Sequence, residues 1–311
     1  MKVLITPKSF KNYRELAYPL LASAGLQAIE NNTGRTLSEE ELISLAGEGV
    51  AGIIVGLDPL SERVIADCRD LRAISKYGVG LDNIDLVAAA KRNIQVKNAL
   101  GSNNISVAEL TIALMFEAAR HVGAQGATVK AGRWERIMGM ELTGKTMGLI
   151  GAGQIGREVA KRARGLLMKV HIFDPYFDDV AFLEKHQAGL VDNLEALLAR
   201  ADVISLHLPL TPSTKHLINR VALRLMKKSA VLINTSRGEL VDEDALYEAL
   251  TTGGIAYAAS DVFSAEPPTP GEKLLNLSNF LLTPHTGAYT REANERMALY
   301  STQNIITMLK R

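Results

Sequence analysis

The sequence predicts an α/β protein built on doubly wound parallel sheets. Three observations carry that prediction. Short β-branched runs alternate with helical patterns along the 311 residues, as expected for strands joined by crossover helices. After residue 143 come six strand candidates, enough for one complete doubly wound sheet. Between the first and second of these stands Gly151-Ala152-Gly153-Gln154-Ile155-Gly156, a pattern suited to a tight strand-to-helix turn.

Composition fits two such sheets. Hydrophobic residues make up 47% of the chain and charged residues 22%, which leaves apolar material for two cores. The length suggests two domains. A formal net charge of +1 without blocks of like charge argues against nucleic acid or an anionic membrane as partner. Cys68 is the only cysteine, so no intrachain disulfide can form, a thiolate metal site is not expected, and a small buried side chain is its expected role; no metal-binding residues are assigned. The apolar run in residues 1–7 is too short for a signal peptide. No uninterrupted apolar stretch reaches the roughly 18 residues of a membrane span. A cytoplasmic location is the expectation.

In the first third, strand candidates lie at 2–6, 52–56, 72–76 and 94–96, with helical segments between them. Ser38-Glu39-Glu40-Glu41 has the form of a capping box, and Asp85 is placed to cap a helix over 86–92. A longer helix is predicted over 104–120, with Ser106 and Glu109 spaced as a second capping box. It is apolar around nearly its whole circumference, so it is deeply buried or lies at a subunit interface. Residues 124–143, with Trp134 among charges, break the alternation and read as an arm. The second series places strands at 146–150, 169–173, 203–207, 231–234, 256–259 and 281–283, then a final helix over 290–310.

The glycines divide the work of binding a dinucleotide. Gly151 allows the tight turn, Gly153 lets backbone approach a pyrophosphate, and Gly156 allows close helix–strand packing. The helix N-terminus that follows offers free N–H groups to phosphates. Asp174 ends the next strand candidate, 18 positions after Gly156. An acid there accepts hydrogen bonds from a ribose and repels a 2′-phosphate. No Arg or Lys stands in Pro175-Tyr176-Phe177-Asp178-Asp179, so NAD is favoured over NADP.

Three chemistry-bearing residues follow, each near the end of a strand candidate: Arg237, Glu266 and His285. Ligand sites in open α/β sheets gather at those carboxyl ends. Taking an alcohol to a carbonyl requires a base for the hydroxyl proton, and histidine titrates in the right range. A neighbouring carboxylate orients the ring and favours its protonated form. Arginine offers a planar fork to a carboxylate or carbonyl oxygen.

These segments resemble the signatures of the D-isomer-specific 2-hydroxyacid dehydrogenases. The matching stretches are 231–245 with Thr235-Ser236-Arg237-Gly238, 261–268, 283–288, Tyr77-Gly78-Val79-Gly80-Leu81-Asp82-Asn83-Ile84-Asp85 and Gly132-Arg133-Trp134-Glu135-Arg136. The likeness runs over essentially the whole chain and is nearest to the D-3-phosphoglycerate dehydrogenases. It implies two Rossmann-like domains. An NAD domain of residues 100–287 is inserted into a discontinuous, flavodoxin-like substrate domain of residues 1–99 and 288–311. The resemblance also implies that Arg237 binds the substrate's carboxylate and carbonyl, that His285 is the acid/base, and that Glu266 pairs with it. Gly151, Gly153, Gln154, Ile155, Gly156 and Gly287 fall to the cofactor, with Gln154 and Ile155 meeting the pyrophosphate through their backbone. Asp174 holds the ribose, Thr235 and Ser236 line the nicotinamide side, and Asp261 holds its carboxamide. Lys76, Gly78 and Val79 belong to the substrate loop, whose successive amides suit a carboxylate. A homodimer is implied through the helix at 104–120 and the arm carrying Trp134.

The implied substrate is a small 2-hydroxy or 2-keto acid. Lys76 stands where phosphoglycerate enzymes often have Arg, and lysine meets a phosphate as a point charge without a bidentate fork. Asn98-Ala99-Leu100-Gly101-Ser102 also departs from the proline- and asparagine-rich pattern of that branch. The pair 3-phosphoglycerate and 3-phosphohydroxypyruvate is one reading; glyoxylate, hydroxypyruvate or a lactate-type acid is another. The sequence ends soon after its last helix, which implies a short form without the C-terminal regulatory domain of longer relatives. An NAD(H)-sensing, corepressor-like scaffold is the reading from another class, and the retention of Arg237, Glu266 and His285 together weighs against it. Formate dehydrogenases are disfavoured because they use Gln where Glu266 stands.

Overall fold

A computed structural model describes residues 1–310. The chain divides into two compact units, Met1–Asn103 with the segment from Ala288 onward, and Asn104–Gly287.

The first unit is a parallel sheet of β1 (Lys2–Ile5), β2 (Gln27–Glu30), β3 (Val50–Val55), β4 (Ala73–Lys76) and β5 (Gln95–Asn98), in the order β2-β1-β3-β4-β5. Its inner strands β3 and β4 are buried along their whole length, as parallel strands covered on both faces must be. β2 is absent from the strand candidates because Gln27-Ala28-Ile29-Glu30 is short, polar at both ends and at the edge of the sheet. Ser38 and Glu41 form the expected capping box, and Asp85 accepts from the Ala88 N–H at 2.8 Å.

The last helix, Arg291–Leu309, begins at a Thr290 cap and returns to this sheet. Met297, Ala298, Ile305, Met308 and Leu309 share one apolar cluster with Val3, Ile5, Ala51 and Ile54. A Cβ on Gly52 in β3 would stand 2.9 Å from Ile305 Cδ1, so glycine is what lets the helix lie this close. The two ends of the chain thus build one core. The unit's boundary falls after Asn103, four residues beyond the sequence estimate of 99/100. Ser102 donates through its N–H and hydroxyl to Ala99 O, and Arg296 Nε donates to Ser102 O at 2.7 Å, which keeps this turn with the first sheet.

The second unit is a parallel sheet of β6 (Thr146–Ile150), β7 (Lys169–Phe173), β8 (Ala188–Leu190), β9 (Val203–Leu206), β10 (Val231–Asn234), β11 (Tyr257–Ser260) and β12 (Phe280–Leu282). The order is β12-β11-β10-β9-β6-β7-β8. Strand order reverses between β6 and β9, the switch point where such sheets bind ligands. β8 escapes sequence reading because it is a three-residue edge strand with a central glycine. The helix Asn104–Arg120 forms as expected, but its capping box does not. Ser106 lies buried inside the first turn, and Glu109 pairs with Arg162 at 3.1 Å. The break expected over 124–143 is also corrected: Val122–Lys130 is helical, and irregular backbone begins after it, with Trp134 and Met138 exposed. Cys68, in the first unit, is buried, and burial pushes its thiol up to about 11. Among the described residues no helix is long and apolar enough to cross a membrane.

Candidate active site

At the switch point, β6 runs into the glycine turn. Gly151 has φ +93°, and a Cβ there would stand 2.4 Å from His207 O. A Cβ on Gly156 would stand 2.3 Å from Gly151 O. The first glycine therefore serves a left-handed turn and the third a close packing contact. Gly153 differs: nothing lies within 4 Å of its Cβ position, so its outer face is open to a ligand. The helix Gln154–Gly165 starts there without a side-chain cap. Gln154 Oε1 accepts from Asn104 Nδ2 at 2.7 Å. Asp174, at the end of β7, accepts from the Ala152 N–H at 2.9 Å and the Tyr176 N–H at 3.0 Å, which fixes the carboxylate beside the turn. An open glycine face, an uncapped helix start and a fixed acid fit a dinucleotide's phosphates and ribose.

The ends of β10, β11 and β12 supply the reactive groups. Asn234, buried at the end of β10, accepts from the Ser236 N–H at 3.0 Å and donates to Arg237 O at 2.7 Å. Its amide thus bridges the turn that carries Arg237, whose Nη1 donates to Ser236 O at 2.6 Å. Thr235 Oγ1 meets Thr111 Oγ1 at 3.0 Å, and Ser236 Oγ donates to Leu206 O at 2.7 Å. Gly238 follows. A Cβ there would stand 2.1 Å from Phe263 C, so glycine allows the Arg237 turn to press on the segment leading to Glu266.

Asp261, buried after β11, gathers the loop after β12. Its carboxylate accepts from Thr283 Oγ1 at 2.6 Å, from the Thr286 N–H at 2.8 Å and from the Gly287 N–H at 2.7 Å. Its carbonyl accepts from the His285 N–H at 3.0 Å. These bonds hold His285 at φ +52°, a left-handed conformation uncommon outside glycine and frequent at functional sites.

His285 Nδ1 lies 2.6 Å from Glu266 Oε2. That hydrogen bond raises the His285 pKa above its ordinary value, against the opposing effects of burial and Arg237. For Glu266, burial pushes the pKa up, but the bonds from His285 and from the Phe263 N–H at 3.0 Å outweigh it, and the net shift is downward. The pair is a carboxylate holding an imidazole toward its charged form, with Nε2 left to exchange a proton. Arg237, Glu266 and His285 are thus brought together on neighbouring strand ends of one unit.

In the first unit, the loop after β4 is fixed through its carbonyls. Ala99 N donates to Gly78 O at 2.8 Å and Asn98 Nδ2 to Val79 O at 2.7 Å. Gly78 has φ +142°. Lys76 is buried, and its Nζ donates to Gly56 O at 2.6 Å and to Asn83 Oδ1.

Sequence reading passed over Asn234 and His207. Asn234 was visible only as a polar end to an apolar strand. His207 supplies the carbonyl that excludes a side chain at Gly151, and it pairs through Nε2 with Ser205 Oγ at 2.9 Å. Burial pushes its pKa down to about 3, so the ring is neutral.

Residues 112–287 match the family described as D-isomer specific 2-hydroxyacid dehydrogenase, NAD binding domain. The whole chain is similar, at 42% identity, to a D-3-phosphoglycerate dehydrogenase of Methanocaldococcus jannaschii, of which it spans 58%. Over 89% of its length it is 40% identical to a hydroxypyruvate reductase of Thermotoga maritima, covering 90% of that protein. The apo structure of Escherichia coli D-lactate dehydrogenase matches with a TM-score of 0.87 at 28% identity, over 100% of this chain and 97% of that one. The chain spans about 58% of the length of the two archaeal phosphoglycerate dehydrogenases that it matches end to end.

Proposed function

This chain belongs to the family of D-isomer-specific 2-hydroxyacid dehydrogenases, and we propose that it interconverts a small D-2-hydroxy acid and its 2-keto acid with NAD. The observation that carries this reading is the 2.6 Å pair between His285 and Glu266, set beside the Arg237 turn in the unit that holds the glycine turn. NAD held along Gly151–Gly156 would supply or take up the hydride. The backbone of Gln154 and Ile155 would hold its pyrophosphate, Asp174 its ribose, and Thr235, Ser236 and Asp261 its nicotinamide end, with Gly287 a further cofactor contact. His285 gives a proton from Nε2 to the carbonyl oxygen in reduction and takes it back in oxidation. Glu266 keeps the imidazole charged until that transfer. Arg237 holds the carboxylate and the carbonyl oxygen through its fork, and the amides of Gly78 and Val79 meet the carboxylate. 3-Phosphohydroxypyruvate, hydroxypyruvate and glyoxylate are the candidate substrates.

The protein acts as a cytoplasmic homodimer in this reading. Support for the dimer comes from the exposed apolar side chains of Ile105 and Phe116 on the long helix and of Val129, Trp134, Ile137 and Met138 on the arm. Apolar surface of this kind marks association sites.

A panel of 2-keto acids, phosphorylated and not, assayed by loss of NADH tests the reading. Turnover of at least one acid is expected. Binding of NADH without turnover of any would favour the scaffold reading instead.

A further inference from the structure

We propose that Lys76 is a positioning residue that locks the substrate loop, and that it does not read a charged substituent on the substrate. The inference rests on the assignment of the Gly78 and Val79 amides to the substrate carboxylate.

Lys76 is the last residue of β4 and is 6% exposed. A cation that deep must be hydrogen-bonded where it lies. Its Nζ donates to Gly56 O at 2.6 Å and to Asn83 Oδ1. Asn83 Nδ2 donates to Gly56 O at 3.1 Å and to Asp58 O at 2.6 Å. Asn83 O accepts from the Leu60 N–H at 2.8 Å. One amine and one amide therefore tie the exit of β3 to the turn at 81–85, and the Tyr77–Gly80 loop is held between these ties.

The acceptors are themselves fixed. Gly56 N donates to Thr6 Oγ1 at 3.0 Å, and that hydroxyl donates to the buried Asp58, which also accepts from the Leu37 N–H at 2.7 Å. Lys76 Cε lies 3.7 Å from where a Cβ on Gly78 would stand, so the stem runs close to the loop's first glycine. Were Nζ to swing toward a ligand, Gly56 O and Asn83 Oδ1 would each lose a buried donor. The loop reads the carboxylate that every 2-keto acid carries, and phosphate on the substrate gains nothing from Lys76.

Lys76→Met, Asn83→Ala and the double variant test this. The readouts are kcat and KM for the best keto acid of the panel, Ki for oxamate and Kd for NADH. Oxamate is a two-carbon keto-acid mimic with no substituent for a lysine to meet. Each single change is expected to raise KM and oxamate Ki together by about tenfold, the scale of one hydrogen bond. The double variant should be no worse than the poorer single, because both cut the same lock. NADH Kd and kcat should stay near wild type. An unchanged oxamate Ki in Lys76→Met, with a raised KM for a phosphorylated substrate, would show a substituent ligand and overturn the proposal. So would a silent Asn83→Ala beside a damaged Lys76→Met, which would mean direct contact with the carboxylate. If Lys76→Met does not fold, Lys76→Gln, which keeps a donor, takes its place in the same comparison. Failure of the wild type to turn over any keto acid would sink the underlying functional reading instead.

Discussion

At the scale of single residues, the site turns on one hydrogen bond. His285 is held left-handed by Asp261 and faces Glu266 across 2.6 Å. Its pKa is raised, first by that bond, so the imidazolium persists to higher pH than in a free histidine. Reduction of a keto acid needs the protonated ring. It should therefore hold below this raised pKa and fall as pH climbs through it, whereas oxidation should rise over the same span. Glu266→Gln removes the main cause of the shift. We expect the alkaline limb of the reductive profile to move to lower pH; a limb that stays in place would mean Glu266 does not set it. Asp174→Ala should relax the preference for NAD over NADP, read as a ratio of kcat/KM values, and an unchanged ratio would remove Asp174 from the ribose. Arg237, Glu266 and His285 stood out in the sequence because their chemistry is distinctive and each follows a strand-like run. Asn234 and Gly238 stood out less. The demand on Gly238 comes from backbone at Phe263, which no local spacing reveals.

At the scale of elements, glycines set which pieces touch. The helix Arg291–Leu309 reaches β3 over Gly52, with Ile305 fully buried in the contact. Ile305→Ala should cost about 2–5 kcal/mol, as large-to-small changes in packed cores do. Urea unfolding measures it, and a loss below about 1 kcal/mol would mean the helix is not part of that core. Gly238→Ala drives a methyl into the Phe263 backbone and should abolish turnover by parting the Arg237 turn from the Glu266 segment; near-wild-type kcat would contradict that account. Long or fully buried elements were readable: β3, β6, β10 and the helix Asn104–Arg120 all carry strong periodic or continuous apolar patterns. β2 and β8 were not, since an edge strand of three or four residues needs little apolar surface and takes its pairing from a neighbour far along the chain. The Ser106 capping pattern misled because the same spacing also fits the interior of a helix that starts two residues earlier.

At the scale of the whole molecule, the two ends of the chain share one core, and the glycine turn stands at mid-chain in the unit between them. The substrate was less legible because the proposed carboxylate contact is to the backbone of a loop, whose setting depends on Gly56, Lys76 and Asn83 together. The proposed dimer is testable at this scale. Light scattering should give twice the 33.7 kDa chain mass, and Trp134→Glu with Met138→Glu should return it to one; a wild type already at one chain mass would contradict the dimer. The central claim is that His285 works as the proton donor to a 2-keto acid. Its most direct test is NADH oxidation by wild type and His285→Ala across a 2-keto acid panel, with NADH affinity measured alongside. The account predicts a loss of at least about 100-fold in kcat with NADH binding retained. Unchanged kcat in His285→Ala would contradict it.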